Sequence, residues 1–463
     1  VYKLLLCWRY LRTRYLAIIC VVSVMLGVAT LIVVNSVMSG FSSKLRDRLH
    51  GLLSDVVVEA WDYDGFPHPA AKMALIRSDP WLAERIEVMS ATMEIFAIVE
   101  FNYRGMPITK TVHLIGIDPV ERAKLGGFAE HLVERPGRTS FELSDDAQFR
   151  QDVRHPPQAN PNKWPLQPVD GKPVPDAPPS EEFVARGIIV GHAIAHFRHP
   201  ETKQEVRTLS LGDDITVTTI SGGPTMRPVQ TRFAVCDYFR SEMSEYDASY
   251  VFVPLDYLQK LRGLDDHATA IQIRLKHYDQ DKKAVVERLS KMFAGAPMQV
   301  NTWEEKQGPL LAAISIERGI LNVLLFMIIA VAGFEILAIF SMIVVEKTRD
   351  IGILKALGAS NGGVMSIFLG YGLLLGSVGA GLGAALGLAI TCNVNGIEKF
   401  LTRVTGQELF DRGVYYFKEI PTDIQPFHVT LILGGAIAIA VLFSIIPALR
   451  AAWLHPVRAL RYE

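Results

Sequence analysis

The hydrophobic pattern divides this chain into two regimes. Four stretches, Tyr15–Met38, Gly319–Val345, Gly362–Cys392 and Phe427–Leu449, are apolar almost without interruption. A bilayer core is crossed by about 20 such residues, so each reads as a membrane span. Between the first and second stretches nothing is long enough to cross. Instead, strand-like runs recur at Ser54–Ala60, Glu94–Phe101, Thr111–Ile117, Gly187–Val190, Asp214–Ile220, Thr231–Val235, Tyr250–Val253 and Ala270–Leu275. They are broken by short helical patterns such as Asp281–Phe293, and strands mixed with short helices predict an α+β domain. The expected fold is an α-helical membrane protein with four transmembrane helices plus a large α+β extracytoplasmic domain, residues 39–318, inserted between helices 1 and 2. Gly40–Leu49 carries the first helix out of the membrane, and Trp303–Arg318 returns as an amphipathic helix.

Charge sets the expected sides. Residues 1–14 hold Lys3, Arg9, Arg12 and Arg14 and no acid, and the tail 450–463 holds Arg450, Arg458 and Arg461. The segment 346–361 carries Lys347, Arg349 and Lys355 against Glu346 and Asp350. Basic clusters favour the cytoplasmic face. Both termini and residues 346–361 are therefore expected inside, and the loop 393–426 outside with the large domain. The first run is too long for a signal-peptide core and lacks a clean cleavage site, so an uncleaved span is expected. Val1 leaves open both a non-standard start and a trimmed chain.

Composition narrows the function. The net charge of −1 offers no basic field for nucleic acid. Cys7, Cys20 and Cys392 fall in or beside apolar runs, and Cys236 has no obvious disulfide partner. No CxxC pair suggests structural zinc, and no G-x-x-x-x-G-K-[ST] supplies a P-loop. No catalytic residue, metal site or bound cofactor is expected in this chain. One segment departs from the rest: residues 156–179 contain nine prolines, which cannot form helix or central strand. It reads as an exposed insertion, either a spacer or a partner-contacting element.

Three groups of residues stand out. Between spans two and three, Ile351, Leu354 and Leu357 recur at helical spacing within Glu346–Ser360 and predict a short surface helix capped by Gly358. In the third span, Gly372, Gly376, Gly379, Gly383 and Gly387 allow close helix approach, as a moving interface or as packing within the chain. Glu335 is the single carboxylate inside a span, and a charge there normally faces the bundle interior. A proton relay would need partners in the neighbouring spans, which offer none; a protonated or hydrogen-bonded Glu335 is expected instead. His192 and His196, with His199 nearby, could share a helix face as metal ligands do, but no acid accompanies them.

Four spans with a very large loop after the first resemble the permeases of the mechanotransmitting ABC transporter superfamily. Glu346-Lys347-Thr348-Arg349-Asp350-Ile351-Gly352-Ile353-Leu354-Lys355-Ala356-Leu357-Gly358-Ala359 is similar to that superfamily's coupling helix. Val37-Met38-Ser39-Gly40-Phe41, Gly116-Ile117-Asp118-Pro119, Gly187-Ile188-Ile189-Val190-Gly191, Leu211-Gly212-Asp213, Glu245-Tyr246-Asp247, Thr302-Trp303, Tyr415-Tyr416 and the ending Pro456-Val457-Arg458-Ala459-Leu460-Arg461-Tyr462-Glu463 resemble its lipoprotein-releasing branch. The length of the proline-rich stretch and the charge of Glu335 depart from the family pattern. The resemblance implies a bacterial inner-membrane permease subunit with a periplasmic domain. It implies a separate cytoplasmic ABC ATPase dimer, holding ATP and Mg, and a second permease subunit, identical or related. Lipoproteins and a periplasmic carrier are the further partners implied. Ile351, Leu354 and Leu357 would enter the ATPase, with Lys347, Arg349 and Asp350 as the polar rim. Efflux of the macrolide-exporter type and control of an envelope hydrolase remain the alternatives.

Overall fold

The computed structural model describes residues 15–155, 186–198, 204–406 and 419–455. The proline-rich stretch 156–179, His199, the Tyr415-Tyr416 pair, residues 1–14 and the ending from Pro456 lie outside the described residues. The described chain divides into two compact units, one formed by residues up to Leu45 and from Pro309 onward, the other by Arg46–Gly308.

The first unit is helical. We number its helices α1 (Tyr15–Leu52), α2 (Gly308–Glu346), α3 (Thr348–Ala356), α4 (Asn361–Cys392), α5 (Val394–Thr405) and α6 (Pro426–Ala452). α1, α2, α4 and α6 are long and apolar enough to cross a membrane. At a rise of about 1.5 Å per residue, α1 with 38 residues is far longer than a bilayer core, and its last turns belong to the second unit. Val24, Val28 and Ile32 of α1, Ile336 and Phe340 of α2, Leu375 of α4, and Ala436 and Ala440 of α6 form the common core. α6 keeps Pro447 inside the helix, which is tolerated in membrane helices because neighbouring groups re-satisfy the freed carbonyl.

The second unit is built on a nine-stranded mixed sheet. Its strands are β1 (Val56–Ala60), β2 (Ile86–Tyr103), β3 (Met106–Ile117), β4 (Gly187–Gly191), β5 (Asp214–Ile220), β6 (Pro228–Phe239), β7 (Tyr250–Pro254), β8 (Ala270–Leu275) and β9 (Met298–Thr302). The spatial order is β9-β1-β8-β2-β3-β7-β4-β6-β5. β2 is long enough to serve two neighbours on one edge. Its first half pairs with β8, and Ile98–Glu100 pairs with Thr216–Thr218 of β5. Strands β2, β3, β7, β4, β6 and β5 therefore close into a ring, which removes the exposed edges an open sheet would carry. Val99, Val112, Leu114, Val190, Val217, Val235 and Val253 fill that ring. The β2–β3 hairpin turns at Arg104 and Gly105, both at positive φ, the geometry of a two-residue turn whose twist matches the strands. β1, β8 and β9 continue the sheet beyond the ring, and Tyr278–Met292 packs over them through Val285 and Leu289.

Candidate functional site

The helix α3 is a short, well-terminated element. Gly358 at φ +96 lets its N–H reach Lys355 O at 3.0 Å while Ala359 N–H reaches Leu354 O at 3.0 Å, the paired bonds of a glycine-capped C-terminus. Ser360 then opens α4, its hydroxyl accepting from Gly363 N–H at 3.1 Å. Gly358-Ala359-Ser360-Asn361-Gly362 also spells the G-x-S-x-G pattern of a nucleophile elbow. No such pattern was expected from the sequence, and its presence is a correction. An elbow needs a strand-to-helix turn, whereas this pattern joins two helices and its serine is a cap.

The faces of α3 differ from the expected assignment at two residues. Ile351 is 3% exposed and packs on Val344, Val364 and Ala451. It cannot serve as a knob for a partner, because α3 follows α2 so closely that this face turns onto the ends of α2, α4 and α6. Lys355 is likewise an internal tie: its Nζ donates to Ala452 O at 2.6 Å and Leu454 O at 2.7 Å. A cation on the final carbonyls of α6 also suits the negative end of that helix, and charged hydrogen bonds contribute about 1.5–3 kcal/mol each. The exposed apolar side chains are instead Ile353 and Leu357, the latter 81% exposed. They are four residues apart and so share a face. Leu354 is half-buried between the two faces, while Glu346, Arg349 and Asp350 are exposed. Lys347 bonds Asp350 at 2.7 Å.

The five glycines of α4 face the chain's own helices. A Cβ on Gly372 would strike Ser444 Oγ, and one on Gly376 would lie 2.8 Å from Ala440 Cβ, both on α6. A Cβ on Gly379 would lie 2.9 Å from Val24, one on Gly383 2.7 Å from Met25 O, and one on Gly387 3.1 Å from Ala29, all on α1. The stripe thus serves packing within the chain, first against α6 and then against α1. Glu335 is half-buried on α2, and among the described residues no ion pair reaches it.

The expected helix carrying both histidines ends early. It covers only His192–Ala195, and His196 opens a short strand. The two rings nevertheless stack, centroids 4.1 Å apart. Arg207 donates to His196 Nε2 at 3.2 Å, and His196 Nδ1 lies 3.1 Å from His192 O. Burial, with His196 and two arginines nearby, pushes His192 down to about 3. Among the described residues no group of three or more metal-ligating side chains occurs.

A second site lies in the α+β unit, where the chain enters and leaves it. The last carbonyls of α1 are held by two arginines: Arg274 Nη1 donates to His50 O at 3.2 Å, and Arg122 Nη2 to Leu52 O at 3.2 Å. Arg122 is buried, and among the described residues its Nε has no partner. Burial lowers its pKa, opposed by the charge of Glu94. Buried Asp55 accepts from Leu275 N–H at 2.7 Å, lies 2.7 Å from His50 Nε2 and 3.5 Å from Arg274 Nη1. The returning chain meets the same place. Trp303 N–H donates to Asp55 O at 3.2 Å, and its ring stacks on His50 at 5.5 Å. Thr302 and Glu305 form a reciprocal capping box there. Lys306 is bonded to Glu59 and lies 3.8 Å from Glu94; burial lowers its pKa, but the two carboxylates outweigh it and the net shift is upward. One residue of α1 reaches farther: Arg48 bonds both Glu242 O at 2.7 Å and its carboxylate at 2.6 Å. Apart from the local pairs His50–Asp55 and Thr302–Glu305, these contacts were not legible beforehand, because they join residues about 70 to 250 positions apart.

Comparison with known proteins agrees with this geometry. Residues 322–456 match the family described as FtsX-like permease C-terminal. The chain is 26% identical over 468 residues to the lipoprotein-releasing system transmembrane protein LolC of Xylella fastidiosa, covering 98% of this chain and 97% of that one. It is 28% identical to LolC of Neisseria meningitidis over 256 residues, 55% of this chain and 61% of that one. With LolE of Haemophilus influenzae it shares 29% over 238 residues, 51% of this chain and 56% of that one. Residues 322–456 cover α3 to α6 and most of α2; there the chain matches an FtsX-like permease domain, and over nearly its full length it is similar to a lipoprotein-releasing transmembrane protein.

Proposed function

We propose that this chain is the permease subunit of an ABC complex that releases lipoproteins from the bacterial inner membrane, driven by a separate cytoplasmic ATPase. The observation that carries the reading is the near full-length likeness to a lipoprotein-releasing transmembrane protein. The exposed Ile353 and Leu357 on α3 support it. In this reading α1, α2, α4 and α6 span the membrane, with both termini and α3 cytoplasmic and the α+β domain periplasmic, inserted between the first two spans. Two permeases, identical or related, pair through their spans, and ATP and Mg bind the partner ATPase dimer.

The contacts support the following sequence of events. ATP-driven closure of the ATPase displaces α3 through Ile353, Leu357 and the rim of Arg349 and Asp350. Ile351 and Lys355 pass the displacement to α2, α4 and α6, because packed elements move as rigid bodies. The glycine stripe of α4 carries it to α1. The clamp of Arg122, Arg274 and Asp55 on the end of α1 turns a movement of that helix into a movement of the domain that handles the lipoprotein and a periplasmic carrier.

The test is co-purification of this chain in mild detergent with mass spectrometry of what stays bound. Recovery of a P-loop ATPase together with acylated lipoproteins is the expected result. An ATPase without lipoproteins would redirect the reading to efflux or hydrolase control. Absence of any ATPase, after crosslinking before solubilisation, would overturn it.

A further inference from the structure

The helix α5 has its polarity reversed. A short helix in water buries its apolar stripe and shows its charges. In α5 the carboxylate Glu398 is only 7% exposed and accepts from Thr402 Oγ1 at 3.3 Å. Ile397, Phe400, Leu401 and Val404 are exposed, Phe400 by 64% and Val404 by 68%. Their spacing of i, i+3, i+4 and i+7 places all four on one face. Lys399 and Arg403 are exposed to one side of that stripe.

The position of the helix names what covers this face. α5 begins two residues after Cys392, the last residue of the membrane-length helix α4. Its first turn is pinned at a definite depth. Asn395 Oδ1 accepts from Ile420 N–H at 2.8 Å, and Asn395 Nδ2 donates to Ile420 O at 3.3 Å. The next residue, Pro421, abuts Gly40 so closely that a Cβ there would lie 2.6 Å from the Pro421 carbonyl. Gly40 marks the point where the apolar run of α1 gives way to Phe41-Ser42-Ser43-Lys44. The pinned turn therefore sits at the level where α1 leaves the hydrocarbon. A helix at that level, with an apolar face outward and its polar side held by its own chain, matches an interfacial amphipathic helix.

We propose that α5 lies in the membrane interface, with Ile397, Phe400, Leu401 and Val404 among phospholipid acyl chains and Lys399 and Arg403 at the phosphate level. The partner is the lipid surface itself, and the assignment does not depend on the transport reading. Its consequence is mechanical: the outer ends of α4 and α6 are held at fixed depth, since α5 follows the first and Ile420 precedes the second.

The experiment uses the full chain with Cys7→Ser and Cys392→Ser, Cys20 and Cys236 being buried, reconstituted in phosphatidylethanolamine–phosphatidylglycerol bilayers. Nitroxides are attached singly at Phe400→Cys, Val404→Cys, Lys399→Cys and Arg403→Cys, and relaxation by oxygen is compared with relaxation by a nickel chelate. Positions 400 and 404 should favour oxygen several-fold more than 399 and 403. Nickel-dominated relaxation at 400 and 404 would put the face in water. Protection from both reagents would put it against protein, whether a second copy or residues 407–418, and either result overturns the proposal. A control free of substitutions is the unaltered chain irradiated with a phospholipid bearing an acyl-chain diazirine. Label should enter the peptide containing residues 397–404, and its absence there while α2 is labelled would also overturn the assignment.

Discussion

The two units bring backbone close to backbone by opposite means. In the helical unit, α4 meets α1 and α6 through glycines, with no charged group at the contact. At the base of the α+β unit, the end of α1 is held by buried arginines, a buried aspartate and a stacked histidine–tryptophan pair. The solvent explains the difference. Lipid gives apolar side chains no reason to cluster, so helices adhere by fitting closely, and a buried charge there would be costly. Outside the membrane a guanidinium can be buried if a helix end supplies its carbonyls. The helical contacts rest on close fit alone, whereas the clamp is directional and fixes the end of α1.

Substitutions break this comparison in order of size. The largest effect is expected from Gly383→Leu, because even a Cβ would lie 2.7 Å from Met25 O and backbone must move. Loss of most folded protein, measured by size-exclusion yield in detergent, is the outcome, with Gly381→Leu, which faces open space, as the unaffected control. Next comes Arg122→Ala. It strips the cap from Leu52 O and takes away one of the two cations near Glu94, Lys306 being the other, and breaking a buried charged contact costs about 3–5 kcal/mol. Thermal unfolding should fall accordingly, and Arg122→Lys should recover part of the loss.

A smaller effect depends on pH. Asp247 is fully buried, with Ser241 N–H and Oγ on one carboxylate oxygen and none of the described residues on the other. Burial raises it from its ordinary 3.8 to about 6. A raised acid favours the folded state while protonated, so the stabilisation is complete below about pH 4 and lost as pH rises through about 6. A tenfold change in proton affinity corresponds to about 1.4 kcal/mol, so the swing is about 3 kcal/mol. Asp247→Asn should therefore raise the melting temperature of the domain by several degrees at pH 8 and not at pH 4. An equal effect at both values would place the cause in packing rather than charge. The smallest effect on stability is expected from Leu357→Asp, since the side chain is 81% exposed, so its unfolding midpoint should match the parent within a degree or two.

What the sequence revealed follows the same division. Four apolar runs, the mixed strand-and-helix domain and the glycine cap of α3 were readable, because each depends on residues close in sequence. The resemblance to lipoprotein-releasing permeases was readable from local motifs. The inward turn of Ile351 and the tie from Lys355 to α6 were not, since both depend on where other helices end. Closure of the six-stranded ring was also hidden: the length of β2 suggests a long strand but not that two partners share its edge. The apolar stripe of α5 was written in the spacing of Ile397, Phe400, Leu401 and Val404, yet the expected outer loop 393–426 covered it.

The central claim is that the exposed face of α3 passes force from an ATPase into lipoprotein release. The direct measurement is ATP-dependent transfer of a triacylated lipoprotein out of proteoliposomes containing this chain with its co-purifying ATPase, comparing the parent with Ile353→Asp/Leu357→Asp. The account predicts release by the parent and at least a tenfold loss in the variant, with the variant still folded and inserted. Release by the variant at the parental rate, or no release by the parent itself, would contradict it.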